Sequence, residues 1–327
     1  MTETTAQFLL ERLAQNNFLV IGRAGMDLYA DPPGTEIENA TKFSAALGGS
    51  AANIAVAITK QGGKAALLTT VSNDAVGRYT QKALASYGVD TRCIKGVGGE
   101  LRNSLAVVET RAVNCQSVIY RNGAADFEVT ESDAEAIPYS DFAAVIVTGT
   151  ALAKEPSRSA TLKAMDLARK AGLILIIDID YRPYSWDSKS DAQRISLQAA
   201  ELCDIIVGND EEFAVLGGAE DGLELAARLG KEETRVVVYK KGEKGSITFS
   251  GGNSFETPVF GVKALKPTGA GDGFMGGFIS GLVAGESLPE AVRRGAATAA
   301  IVVARVGCAP AMPDMAEVLS FIKQRSA

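Results

Sequence analysis

Short apolar runs recur along this chain, and between them lie stretches whose apolar residues return every three to four positions. Residues 18–22 (Phe-Leu-Val-Ile-Gly) read as a buried strand that enters a loop at its glycine. Residues 65–71, 143–148, 173–178, 205–208 and 236–239 read as further strands. Helices are expected at 50–61, 75–87, 156–171, 223–229 and 274–284, with Gly88 and Gly172 closing two of them. Ile174-Leu175-Ile176-Ile177 does not alternate, so that strand must be covered on both faces. Strand–helix repetition of this kind predicts an α/β fold, a mostly parallel sheet sandwiched by helices. Two segments break the rhythm: 29–43 is loop-like around Pro32-Pro33-Gly34, and 104–120 holds two strand-like runs with no helix between them. Together they are expected to form a small β lid beside the ligand site. With no repeat or linker, residues 1–327 read as one domain.

Polar and glycine-rich punctuation falls at the strand ends where ligands bind in open α/β sheets. Gly22-Arg23-Ala24-Gly25-Met26-Asp27 follows the first strand, and Gly48-Gly49-Ser50-Ala51-Ala52-Asn53 opens the first long helix. Asp178-Ile179-Asp180-Tyr181-Arg182, Asn209-Asp210-Glu211-Glu212 and Gly242-Glu243-Lys244-Gly245 follow later strands. The densest segment is Lys266-Pro267-Thr268-Gly269-Ala270-Gly271-Asp272-Gly273, placed before the small, apolar run 274–284. Its glycines permit a tight turn whose amides point one way, at the positive end of a helix dipole, which makes an anion site. Asp272 is the acid beside that anion. Two explanations fit it: a base that takes a proton from an attacking hydroxyl, or an ordinary acidic helix cap.

Composition narrows the chemistry. The chain has 327 residues, 46% hydrophobic and 22% charged, with a net charge of −6 that disfavours nucleic acid and acidic membranes as partners. Histidine is absent, which removes imidazole bases, Ser-His-Asp triads and His-ligated zinc, so acid–base work falls to other side chains. Cys93, Cys115, Cys203 and Cys308 are far apart and read as free thiols of a reducing compartment. Residues 1–17 are polar and lack a signal-peptide layout, and no run is apolar enough to span a bilayer; the cytoplasm is the expected location. A Walker A loop and a dinucleotide fingerprint after the first strand are both missing, which weakens a nicotinamide-dependent oxidoreductase.

Taken in order, these segments resemble the ribokinase-like (PfkB) family of carbohydrate kinases over essentially the whole chain. Gly48-Gly49 with Asn53 is similar to the family's substrate motif, Gly269-Ala270-Gly271-Asp272 to its anion-hole and base motif, and Asn209-x-x-Glu212 lies between them. The family commonly has Asp-Thr-x before the second motif, where this chain has Lys266-Pro267-Thr268, which puts a monovalent-cation site there in doubt. That departure looks like the branch of 5-dehydro-2-deoxygluconokinases in myo-inositol catabolism. The branch is also similar at 22–29, Tyr120-Arg121 with Ala124-Ala125-Asp126, and Asp178-x-Asp180-Tyr181-Arg182-Pro183 with Trp186.

The resemblance implies a three-layer sandwich, ATP and magnesium as cofactors, and transfer of a phosphoryl group to a primary hydroxyl of a sugar acid. Asp272 would be the base, with the amides of Gly269, Ala270 and Gly271 stabilising the transferred group. Asp27 and Asn53 would bond the polyol, and Gly48 and Gly49 would let the backbone approach it. Arg23, Arg121, Arg182 and Lys266 are candidates for the substrate carboxylate, with Arg121 and Arg182 expected to face the cleft. Asn209 and Glu212 would hold magnesium through water, with an ordinary helix start as the alternative for both. Asn209, Gly242, Gly245 and Thr268 would line the ATP side. Partners would be the sugar acid and ATP, and any oligomer would be a homodimer through the lid. A 2-keto-3-deoxygluconate kinase, another sugar kinase of the family, and a non-catalytic sugar-binding protein remain alternatives.

Overall fold

The computed structural model describes residues 11–325, so the polar opening read at 1–17 lies largely outside the described residues. The strands are β1 (Asn17–Ile21), β2 (Gly25–Asp31), β3 (Lys42–Gly48), β4 (Lys64–Ser72), β5 (Ile94–Val97), β6 (Ser104–Val108), β7 (Ser117–Tyr120), β8 (Ala144–Thr148), β9 (Ile174–Asp178), β10 (Ile205–Asn209), β11 (Val236–Lys240), β12 (Ser246–Ser250) and β13 (Asn253–Thr257). The helices are α1 (Ser50–Lys60), α2 (Ala75–Ser86), α3 (Glu131–Glu135), α4 (Ser157–Lys170), α5 (Lys189–Glu201), α6 (Asp210–Gly217), α7 (Gly222–Leu229), α8 (Ala270–Val283), α9 (Leu288–Val303) and α10 (Met315–Gln324).

Nine strands make the main sheet in the order β13-β12-β11-β10-β9-β8-β1-β4-β5, parallel from β5 to β11. β12 and β13 add an antiparallel edge. Because β1 pairs with both β4 and β8, the winding reverses between β1 and β8, which places the ligand crevice outside their C-terminal ends. Unalternated apolar strands are buried on both faces, as the sequence requires. Leu175 and Ile177 of β9 enter the core under α4 and α5, while Ile174 and Ile176 enter the core under α1, α8 and α9.

The second sheet, β3-β2-β6-β7, has four strands and is separate from the first. Its boundaries differ from the sequence reading. The stretch expected as a loop over 29–43 begins inside β2 and ends inside β3, so only 32–41 lies between these strands. β2 escapes a pattern search because its inward positions include Asp27 as well as Tyr29, while Met26 and Leu28 lie on the other face, less buried. The β12–β13 hairpin is a further addition to the sequence reading, although its two-residue Gly251-Gly252 turn, both at positive φ, is a recognisable hairpin signal.

The apolar run after the glycine motif begins its helix earlier than expected, at Ala270. α8 can approach α1 closely because Gly276 has no side chain: a Cβ there would lie 2.3 Å from the Ala57 Cβ. Gly277 and Gly281 likewise sit against α9, at Thr298 and Ala291. Gly276→Ala therefore must push α8 away from α1, a strain of about 1–3 kcal/mol. Thermal denaturation should show that loss, and an unchanged melting temperature would contradict the close contact of α1 with α8.

Candidate active site

The loop Gly269–Gly271 and the start of α8 stand over the C-terminal ends of the main strands. Gly269 is the helix N-cap at φ +84, and a Cβ on it would come within 2.9 Å of the Cys308 sulfur, so only glycine suits the position. No side chain caps this helix, which leaves first-turn amides for a ligand. The expected set of three amides is modified in one respect, because the Ala270 N–H turns back to the Pro267 carbonyl at 3.4 Å.

Asp272 follows in the first turn, and its Oδ2 accepts a hydrogen bond of 2.8 Å from the Asn53 amide on α1. Burial, then the neighbouring charges of Asp180 and Asp178, pushes its pKa up to about 7, while the Asn53 bond and Arg182 work in the other direction. Asn53 is buried, and its Oδ1 has no partner. Asp27, on β2, is in the same condition. Its Oδ2 accepts from the Tyr29 hydroxyl at 3.0 Å, while Oδ1 is buried without a partner. An unpaired buried acceptor is costly, so both atoms mark places where a ligand donor would be stabilised.

The glycines before α1 are also required by the protein's own packing. A Cβ on Gly48 would overlap Asp27 Oδ1 at 1.9 Å, and one on Gly49, at φ +100, would strike the Arg23 carbonyl at 2.4 Å. In the structure they make room for Asp27 and for the chain around Arg23.

The candidate cations separate cleanly. Arg121 was expected to face the cleft, and that expectation is corrected. Its guanidinium is buried against Asp126, with Nε 2.9 Å from Oδ2, and also donates to the Thr150 carbonyl and Ser185 while covering the Phe127 ring. Lys266 is fully buried, donates to the Thr268 carbonyl, and is held below its usual pKa by burial, so it braces the anion loop from inside. Arg182 is half exposed and pairs with Asp180 at 2.8 Å. Arg23 makes one long hydrogen bond, 3.3 Å to the Ser104 hydroxyl, and acts electrostatically on Asp27.

Asn209 and Glu212 form a reciprocal capping box at the start of α6: Asn209 Oδ1 accepts from the Glu212 amide at 2.9 Å, and Glu212 Oε2 from the Asn209 amide at 2.7 Å. The helix-start explanation thus holds for both. Glu212 still has one carboxylate oxygen without a hydrogen bond, and it shares the crevice with Asp178 at the end of β9. Burial raises the pKa of each. Gly242 and Gly245 shape the turn between β11 and β12, at φ +57 and +83. Thr268 contributes its carbonyl to Lys266.

Three residues of this crevice carry more than the sequence reading assigns them. Asp178 and Asp180 figure there as punctuation after β9 and as part of the branch resemblance, with no role of their own. Asp180 adopts φ +38 and is fixed in that conformation by Ser50 at 2.5 Å, Thr150 at 3.3 Å and Arg182. Lys240, the last residue of β11, has no sequence signal at all. Burial alone would lower its pKa, but Asp178, Glu212, Asp272 and Asp180 outweigh that and raise it.

Known proteins resemble this chain over nearly its whole length. A family model described as pfkB family carbohydrate kinase matches residues 15–315. A 5-dehydro-2-deoxygluconokinase of Photobacterium profundum is 39% identical over 313 residues, covering 94% of this chain and 95% of that protein. One from Geobacillus kaustophilus is 35% identical, covering 94% of each. A solved fructokinase double mutant of Vibrio cholerae, bound to fructose, ADP and a potassium ion, superposes with a TM-score of 0.83 at 26% identity, covering 94% of this chain and 98% of that one.

Asp272 has a stability consequence of definite sign. A carboxyl whose pKa is raised on folding binds its proton more tightly in the native state, so it favours the fold below pH 4 and loses that contribution as pH rises through about 7. Each tenfold difference in proton affinity between the two states is worth about 1.4 kcal/mol. Without ligands, Asp272→Asn should therefore melt at a higher temperature than the parent at pH 8 and show little difference at pH 4.5. Equal melting temperatures at both pH values would contradict this ionisation.

Proposed function

We infer substrate and mechanism from one premise: the chain belongs to the pfkB family of carbohydrate kinases. It is a sugar kinase, and its relatives named 5-dehydro-2-deoxygluconokinase indicate the acceptor. The reaction assigned to it is transfer of the terminal phosphoryl group of ATP to the primary hydroxyl of 5-dehydro-2-deoxygluconate, giving the 6-phosphate. The observation that carries this reading is the arrangement of Asp272, tied to Asn53, between two unspent acceptors and an uncapped helix start.

The roles follow from the chemistry. Asp27 Oδ1 and Asn53 accept hydrogen bonds from the acceptor's hydroxyls and orient its chain. Asp272 takes the proton of the attacking hydroxyl, and a pKa near 7 suits a base working at neutral pH. First-turn amides of α8 stabilise charge on the phosphoryl group in transit. Magnesium, when bound, neutralises charge on the phosphates. The free carboxylate oxygen of Glu212, with Asp178 beside it, fits an ion held through water, as magnesium prefers. The small sheet would act as a lid, since β2 carries Asp27 into the site, and closure would exclude water as a competing acceptor.

Among the four candidate cations, Arg23 is the one available to the substrate carboxylate. Arg121 is occupied by Asp126, Lys266 is sealed inside, and Arg182 is tied to Asp180. The location assigned is the cytoplasm, consistent with four free cysteines and with the absence of a membrane-spanning helix among the described residues. The outer face of the small sheet carries Met26, Leu28, Phe43, Val107, Val118 and Tyr120, of which Phe43, Val118 and Tyr120 are 42%, 46% and 60% exposed. A second copy of the chain is the partner assigned to this face.

Four outcomes test the assignment. Coupled assays of ADP release across a panel of sugars should give sugar acids at least about tenfold higher kcat/KM than matched neutral sugars, with 5-dehydro-2-deoxygluconate foremost. Equal use of fructose or ribose would end the carboxylate argument. Arg23→Met should erase most of that preference, a charged hydrogen bond being worth about 1.5–3 kcal/mol, while Arg121→Met should lower stability. Turnover should decline about tenfold per pH unit below 7, where Asp272 is protonated, and Asp272→Asn should lower it by roughly 10²–10⁴-fold. In sedimentation, the parent should run as a dimer and Val118→Lys as a monomer; a monomeric parent would remove the dimer from the account.

A further inference from the structure

The ammonium of Lys240 stands beside Asp178 and the first turn of α8. The residue ends β11, level with Asn209 on β10 and Ser246 on β12. Its side chain is 17% exposed, and its ammonium makes no hydrogen bond among the described residues. The nearest carboxylate oxygen, Asp178 Oδ1, is 3.9 Å away, too far for a hydrogen bond. The ring of Phe274 lies 5.9 Å off on another side.

On the side facing α8, a Cβ placed on Gly271 would meet a single atom within 4 Å, the Lys240 Nζ at 3.4 Å. The ammonium is therefore set against the first turn of α8. Positive charge at the positive end of a helix is unfavourable by itself. A lysine serving only to balance Asp178 and Glu212 would gain by hydrogen-bonding one of them, and it bonds neither. Three free N–H donors beside uncapped helix amides describe two walls of an anion site whose occupant must touch both.

We propose that Lys240 binds the terminal phosphate of the nucleotide and stays on that phosphoryl group while it is transferred. This rests on the kinase reading above. In the step, the bond from the terminal phosphorus to the bridging oxygen breaks and a bond to the acceptor hydroxyl oxygen forms. The hydroxyl proton goes to Asp272, the electron pair leaves on ADP, and the ammonium keeps its charge throughout. A compact ammonium suits this task because it can follow a moving group without the fixed geometry of a guanidinium. The position closes a strand just ahead of Gly242, and the sequence reading gives the lysine itself no role.

The test compares Lys240→Met with Lys240→Arg by calorimetry, using magnesium ADP and the magnesium complex of the imido analogue of ATP, with no sugar present. The parent should bind both nucleotides. Lys240→Met should weaken the triphosphate analogue by roughly 10- to 150-fold, the equivalent of one charge-assisted hydrogen bond, and ADP by less than about threefold. Lys240→Arg should restore much of the difference. In steady state, Lys240→Met should lower kcat without raising the KM for the sugar. Equal weakening of both nucleotides would make Lys240 a structural counter-ion and overturn the proposal, as would no weakening of either. If Lys240→Met does not fold, Lys240→Arg and Lys240→Gln give the same comparison. A parent that binds the analogue but phosphorylates no sugar acid would refute the substrate assignment alone; one that binds neither nucleotide would refute both.

Discussion

The hydrogen bond from Asn53 to Asp272 joins two helices that are far apart in sequence, and the rest of the site depends on that junction. α1 brings a residue that can face a polyol, and α8 brings the acid and the helix start. The bond has its 2.8 Å length because Gly276 lets the two helices touch at Ala57. Packing in the interior thus sets a distance at the surface of the cleft. The same bond orients the carboxylate while leaving one oxygen free, and it moderates the pKa rise that burial and the other acids impose.

Around this junction the crevice collects charge of one sign at a cost to the unliganded fold. Asp178, Glu212 and Asp272 all have raised pKa values, with burial the first cause in each. Arg182 and Lys240 offset part of the repulsion, and Asp180 is fixed in an unusual backbone conformation by three partners. Residues arranged in this way are organised for a ligand rather than for stability, a common trade at functional sites.

Much of this could be read from the sequence, and the limits have physical causes. The buried strands, the helices after them and the turn at Gly269 follow from apolar runs and glycine placement, which are local signals. The capping box at Asn209 and Glu212 has a local pattern too, and the sequence could not separate it from a metal site because both need the same oxygens. What was not legible is direction. Lys266 and Arg121 have the sequence signature of free cations, and only the three-dimensional packing reveals that one is sealed behind the anion loop and the other is matched to Asp126. Lys240 escapes notice for the opposite reason, since a lysine ending a strand is ordinary until α8 is seen to stand against it. β2 is hidden because an acid and a tyrosine occupy its inward positions.

β2 leaves the end of β1 after only three residues, Gly22 to Ala24, and carries both Asp27 and the outer apolar face of the small sheet. On the proposed function, one short strand would be at once part of the pocket wall, part of the cover and part of the surface offered to another copy. A substitution that reshapes the pocket at this strand would then also alter how readily that cover swings and how the copies seat. Variants selected for a new acceptor are accordingly expected to carry changed product-release rates and assembly constants with them, and these traits would be inherited together rather than tuned one at a time.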